Sequence, residues 1–206
     1  PIRSKSAFTI DWWMYAKGNR DFCNRMGNTG SDLLMLTTAE GMMMITLGNM
    51  DYKSDAGYIV PSEWHHYAIV FESGDFYLYR DCKLQSVLHT AWTSYVPAMP
   101  KTFYLGGGDG PMNAVIDEFR IWNSALTPDN LKAFANGPLE DVASAEKQHG
   151  LAVYYRFNQS SGNVADATSN ANTGIRQGFG PEGDAWSPSL GAFCLDTGAR
   201  PDVTAD

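Results

Sequence analysis

Charge is scarce in this chain of 206 residues, with Asp, Glu, Lys and Arg making up 18% against the ~25% of an average soluble domain. Basic residues are the scarcer sign: 15 Lys and Arg face 23 Asp and Glu, for a formal charge of -8. The mean field repels phosphate backbones and anionic lipid surfaces, so nucleic acid is not an expected partner. Nor does any stretch approach the roughly 20 consecutive apolar residues of a membrane span. The opening PIRSKSAFTI has no apolar signal region, and Pro1 stands where an initiator Met would. The chain therefore reads as a mature or excised part of something longer, its targeting signal gone.

Cysteine is equally sparse. Cys23, Cys82 and Cys194 lie far apart, which excludes a closed disulfide framework and a CxxC metal knuckle and leaves room for one internal bridge at most. None sits in a nucleophile motif, and each is expected to be a small apolar residue.

Apolar material, in contrast, is ample at 44%, with 13% aromatic residues. Its periodicity is mostly that of strands. In AFTIDWWMY (7–15), Phe8, Ile10, Trp12 and Met14 alternate with Thr9, Asp11, Trp13 and Tyr15, as the two faces of a strand do. LLMLTT (33–38) and MMMITLG (42–48) flank a short Gly-containing connection, a hairpin signal. EWHHYAIVFE (63–72) and DFYLYRD (75–81) flank Ser73-Gly74, a turn pair in which Gly tolerates positive φ. KLQSVLH (83–89), TFYLGG (102–107) and AVIDEFRIW (114–122) continue the run of short strands, a spacing that suits a sandwich or jelly roll. One helix is expected: Thr127 as N-cap, Pro128 at the first helical position, Leu131, Phe134 and Ala135 on one face, Gly137 past the end. Residues 138–150 read as a polar linker or a frayed second helical turn. GLAVYYRFN (150–158) returns to strand character, and FCLDTG (193–198) reads as a last short strand. Between them, 159–192 is rich in Ser, Gly, Asn and Asp, a loop length that usually signals function or a stabilising ion.

Taken in order, AFTIDWWMY around Trp13, PSEWHHYAIVFESGDFYLYRDCKL and AVIDEFRIWNSALTPDNL resemble the laminin-G-like jelly-roll modules of the concanavalin A-like lectin and glucanase superfamily. The resemblance covers residues 7–136. It implies an all-β fold of two antiparallel sheets with one short helix, forming a single domain over 1–206. GLAVYYRFNQSSGNVADATSNANTGI and LGAFCLDTG are also similar to family segments, but to ones that usually begin the domain. Two arrangements satisfy this: a circular permutation in which the strands of 150–198 complete the sandwich, or a truncated second repeat starting at Gly150. Permutation is preferred, because a missing first strand would leave a sheet edge unpaired. The family also favours Asp-Gly where this chain has Asp81-Cys82. Cys meets a steric cost at positive φ that Gly avoids, so a different turn type is expected there.

The superfamily includes glucanases, whose Glu-x-Asp-x-x-Glu pattern is absent here. Asp117 and Glu118 are adjacent, so strand alternation sends them to opposite faces, one turned inward and one solvated. His65 and His66 diverge for the same reason, and no Ser or Cys motif accompanies any His. The resemblance thus implies a non-catalytic carbohydrate-binding or adhesion module of a secreted or cell-surface bacterial protein, including a lipoprotein. Its partners would be a glycan and other domains of the parent chain. A glycoside hydrolase or lyase of the same superfamily, and a protein-interaction module without sugar binding, are the competing readings. For a glycan surface, Tyr52, Trp92, Tyr95 and Trp186 are the aromatic residues expected in loops, whereas Trp12, Trp13, Trp64 and Trp122 lie in strands and are expected in the core.

The loop DATSNANTG (166–174) places side-chain oxygens of Asp166, Thr168, Asn170 and Asn172 at alternate positions, a set able to wrap calcium. It is no EF-hand, since Ala171 and Gln177 stand where Gly and Glu are required. In related modules the matching loop helps hold a structural calcium ion, which implies Asp117 as a further ligand. The alternative is an Asx-turn loop held by its own hydrogen bonds.

Overall fold

The computed structural model describes residues 7–18, 23–27, 33–48, 50–90, 103–106, 112–159 and 161–176. Among the described residues, eleven strands and two helices follow one another: β1 (Ala7–Ala16), β2 (Cys23–Gly27), β3 (Leu33–Thr37), β4 (Met43–Leu47), β5 (Met50–Lys53), β6 (Trp64–Glu72), β7 (Asp75–Arg80), β8 (Lys83–His89), β9 (Tyr104–Leu105), β10 (Ala114–Trp122), α1 (Pro128–Ala135), α2 (Val142–His149) and β11 (Leu151–Tyr155). They form a six-stranded sheet in the order β11-β10-β1-β6-β7-β8 and a five-stranded sheet in the order β5-β4-β3-β2-β9. Every strand pairing in both is antiparallel.

The alternation read in β1 decides its packing. Phe8, Ile10, Trp12 and Met14 face inward with Met26, Leu33, Met35, Ile45, Tyr67 and Phe71, forming the core between the sheets. Each such side chain contributes about 1.5–3 kcal/mol by leaving water. The opposite face of β1 is buried as well. Thr9, Asp11 and Trp13 are at most 3% exposed, because α1 and α2 cover the outer face of the six-stranded sheet through a second cluster that includes Ala68, Val70, Trp122, Leu131, Leu151 and Tyr154. Trp12, Trp13, Trp64 and Trp122 are all buried, as their strand positions require.

Two helices stand where one was expected. Thr127 caps α1, its hydroxyl accepting from Asn130 N–H at 3.2 Å. Residues 138–150 hold α2: Asp141 Oδ1 accepts from Ser144 N–H at 2.8 Å, and Gly150 closes the helix in the left-handed region at φ 70°. These are ordinary helix stop and start devices, obscured in the sequence because only Ala145 of α2 is buried. β2 and β5, also unforeseen, are short, and β2 is interrupted by a register shift between Cys23 and Met26 with Asn24 at φ 51°.

The turn after β7 departs from expectation too. Asp81 and Cys82 both take positive φ, 50° and 60°, the condition of a type I′ hairpin turn. Cys82 therefore tolerates the conformation usually given to Gly. Asp81 is held from its own side, accepting from His66 N–H at 3.2 Å and bonding His65 Nδ1 at 2.7 Å.

β11 pairs with β10 through Phe119–Tyr155, Arg120–Tyr154 and Ile121–Val153, so the strand after Gly150 belongs to the six-stranded sheet. Residues 193–198, including Cys194, lie outside the described residues. Cys23 is buried and Cys82 is half-buried. Among the described residues no helix is long and apolar enough to cross a membrane.

Candidate functional site

Two groups of polar side chains stand out. The first lies beneath the helices. Asp11 pairs with Arg120 across β1 and β10, and Trp13 pairs with Asp117. Trp12 therefore opposes both Glu118 and Phe119, a β-bulge on β10. Glu118 sits at φ 50°, a conformation costly for a residue with a side chain. Asp117 Oδ1 accepts from Glu118 N–H at 2.9 Å. The bulge overturns the opposite-faces expectation for Asp117 and Glu118. Asp117 shares the helix side with Trp13, Glu118 reaches Arg120 on that same side, and both carboxylates are 3% exposed rather than one being solvated.

Arg120 is the hub. Its guanidinium donates to Asp11 at 3.1 Å, to Glu118 at 2.6 Å, and to the carbonyls of Phe134 at 2.8 Å and Gly137 at 3.0 Å. Asp11 also meets His66 Nε2 at 3.1 Å and accepts from Trp122 Nε1. Glu118 further accepts from the Tyr154 hydroxyl, which in turn accepts from Leu139 N–H at 3.1 Å. Trp13 Nε1 donates to Ala135 O at 3.1 Å. The end of α1 is thereby tied to the sheet through side chains that are each almost wholly out of water.

Burial alone would raise the Asp11 carboxyl, but Arg120 and the hydrogen bonds from His66 and Trp122 outweigh it and hold Asp11 below its ordinary range. Burial would lower Arg120, and the two carboxylates more than reverse that. Burial, with Glu118 beside it, pushes the Tyr154 phenol up to about 12. Removing one partner of such a pair leaves a charge stranded, at a cost of about 3–5 kcal/mol. Asp11→Ala should therefore lower the unfolding free energy by about that amount in a urea titration. Because the folded Asp11 carboxyl ionises below its unfolded value of about 3.9, its contribution is complete above that value and is lost as pH falls through the folded one. The urea midpoint should drop more steeply below about pH 4 for the natural chain than for Asp11→Asn.

The second group is the loop after β11. Asp166 Oδ1 accepts from the backbone N–H of Tyr154 and of Thr168, both at 3.0 Å. Its Oδ2 accepts from Thr168 Oγ1 at 2.9 Å and Asn172 N–H at 2.8 Å. The Asn170 and Asn172 amides and the Thr168 hydroxyl all aim at one carbonyl, Ala152 O, at 3.2, 3.1 and 3.4 Å. The one Thr168 proton goes to Asp166 Oδ2 at the shorter distance, so the two amides are the donors that crowd Ala152 O. An amide's oxygen and nitrogen ends differ little in shape. With both amides reversed, the oxygens of Asn170 and Asn172 would stand with Ala152 O and Thr168 Oγ1 beside the Asp166 carboxylate, a donor set that suits a hard cation.

Asp166, Asn170 and Asn172 are thus brought together. Asp117 is not with them: β11 lies between its strand and the Asp166 bridge to Tyr155, so the two stand two strand positions apart. Among the described residues no group of three or more His, Cys, Asp or Glu side chains could hold a metal ion. Of the aromatic residues expected on a sugar surface, Tyr52 lies in β5 rather than in a loop, its ring against the core and its hydroxyl buried. Trp92, Tyr95 and Trp186 lie outside the described residues. Sequence reading missed the Asp11–His66–Arg120 group, although three polar residues within otherwise apolar strands were a visible signal of something pairing with them.

No curated protein matches the chain in sequence. Among solved structures, a candidate carbohydrate-binding protein from Bacteroides ovatus superposes with a TM-score of 0.67 at 21% identity, over 82% of this chain and 51% of that one. This chain spans about half the length of that structure. Domain 4 of AbnA, an extracellular GH43 arabinanase from Geobacillus stearothermophilus solved with arabinotriose, superposes with a TM-score of 0.50 at 18% identity, over 63% of this chain and 66% of that one. At these identities the likeness is one of fold. Residues 2–132 match a laminin-G-like family model, and with the sandwich described above the chain belongs to the concanavalin A-like lectin/glucanases superfamily.

Proposed function

We propose that this chain is a non-catalytic carbohydrate-binding module of a secreted or cell-surface protein, working by shape and stacking. The observation that carries the reading is the state of the adjacent carboxylates on β10. A hydrolase needs one carboxyl to give a proton and another to attack or activate water, both at the substrate. Asp117 and Glu118 are instead sealed under the helices, and Glu118 is committed to Arg120 and Tyr154. The carbohydrate-binding description and the bound arabinotriose of the two similar structures support a glycan as the ligand class. A glycan array run beside a reducing-sugar release assay tests this. Binding without turnover is expected, and release of reducing ends from a bound polysaccharide would contradict it.

The loop at Asp166, Asn170 and Asn172 is, on this reading, a structural calcium site that fixes the segment after β11. An ion bound only by the folded state stabilises it by mass action. Excess chelator should lower the melting temperature and calcium should restore it. An unchanged melting curve would leave the loop to its own hydrogen bonds.

A further inference from the structure

The outer face of the five-stranded sheet has no helix over it among the described residues, and one row of residues crosses all five strands there. Asp51 pairs with Thr46, Thr46 with Leu34, Leu34 with Gly27, and Gly27 with Tyr104. Their chain neighbours Tyr52, Ile45, Leu47, Leu33, Met35, Met26 and Leu105 pack into the core, so alternation turns the row outward. Four strand spacings of about 4.8 Å make it about 19 Å long.

The row has two chemical ends. Tyr104 is 47% exposed, and beside it Gly27 is bare by necessity, since a Cβ there would lie 2.5 Å from Leu33 O and its φ is +104°. Gly27 itself therefore puts no side chain against that flank of the ring. At the far end the Thr46 hydroxyl donates to Asp51 Oδ1 at 2.7 Å, leaving the second carboxylate oxygen and the hydroxyl lone pairs as acceptors. Half-exposed Leu34 lies between. An exposed aromatic ring, a short apolar floor and an acceptor pair in one line suit a molecule with apolar ring faces and hydroxyl edges. The carboxylate in the row and the formal charge of -8 disfavour a polyanion.

We propose that the row Tyr104–Gly27–Leu34–Thr46–Asp51 binds a neutral linear oligosaccharide laid across the strands, one sugar ring stacked on Tyr104 and hydroxyls donated to Asp51 and Thr46. This rests on the reading of the chain as a carbohydrate-binding module and names its surface. Calorimetry with gluco-, xylo- and arabino-hexasaccharides tests it on the full chain, with Tyr104→Ala, Tyr104→Phe, Asp51→Ala and, on the other sheet, Leu84→Ala. The tightest hexasaccharide should lose about tenfold in affinity with Tyr104→Ala and with Asp51→Ala. Leu84→Ala should bind as the natural chain does, whereas Tyr104→Phe, which keeps the stacking face, should lose less affinity than Tyr104→Ala. If a hexasaccharide binds but Tyr104→Ala and Asp51→Ala leave its affinity unchanged, the surface is misplaced while the module reading stands. If none binds and the glycan array is also silent, the module reading itself fails. Binding confined to uronic-acid or sulfated glycans would overturn the neutral class.

Discussion

A guanidinium without access to water must be answered by everything around it, and Arg120 is wholly buried. Asp11 pairs with its Nη1 and Glu118 with its Nη2, and two carbonyls at the end of α1 accept hydrogen bonds from the same nitrogens. Each of those partners comes at a structural cost. Glu118 reaches Arg120 from the bulge on β10, with a residue at positive φ in mid-strand. Asp11 is shared with His66 and Trp122, so β1, β6 and β10 are held in one register by a single carboxylate. The end of α1 is fixed because its carbonyls are the remaining acceptors, and Tyr154 carries the tie onward to β11 and Leu139. Such ionic groups seldom add net stability over apolar packing; here they dictate which backbone arrangement is allowed.

That arrangement makes the two faces of the sandwich unequal. On the six-stranded sheet, Asp11, Asp117 and Glu118 lie buried on the face that the helices cover. On the five-stranded sheet, side chains that alternate out of the core meet no covering helix among the described residues, and a row of them crosses every strand. The proposed function follows from this asymmetry more than from any single residue. Binding by stacking and hydrogen bonding needs an accessible, rigid surface, which a sheet pinned by its own core provides.

The strands with clean alternation were legible because period-two patterning and core burial are the same fact seen twice. α1 was legible for a similar reason, its cap, proline and apolar face agreeing. α2 was not, since a helix that buries one alanine shows no apolar stripe. β2 and β5 were too short and irregular to announce themselves, and Tyr52 was assigned to a loop in consequence. The carboxylates of β10 were misjudged because face assignment by alternation fails at a bulge, and nothing in AVIDEFRIW marks one. Cys82 misled in the opposite way: the steric preference for Gly at positive φ is real but small enough for the bonds of Asp81 to override. In the loop after β11, composition identified Asp166, Asn170 and Asn172 as neighbours, whereas their convergence on Ala152 O and their distance from Asp117 depend on sheet order, which composition does not encode.

If the Arg120 group binds the helical layer to the sheet, the two should open together. Native-state hydrogen exchange measures this directly, residue by residue. The account predicts that the slowest amides of α1 and α2 exchange with the same opening free energy as those of β1 and β10. Helix amides that open well below the sheet, with β1 and β10 still protected, would contradict it.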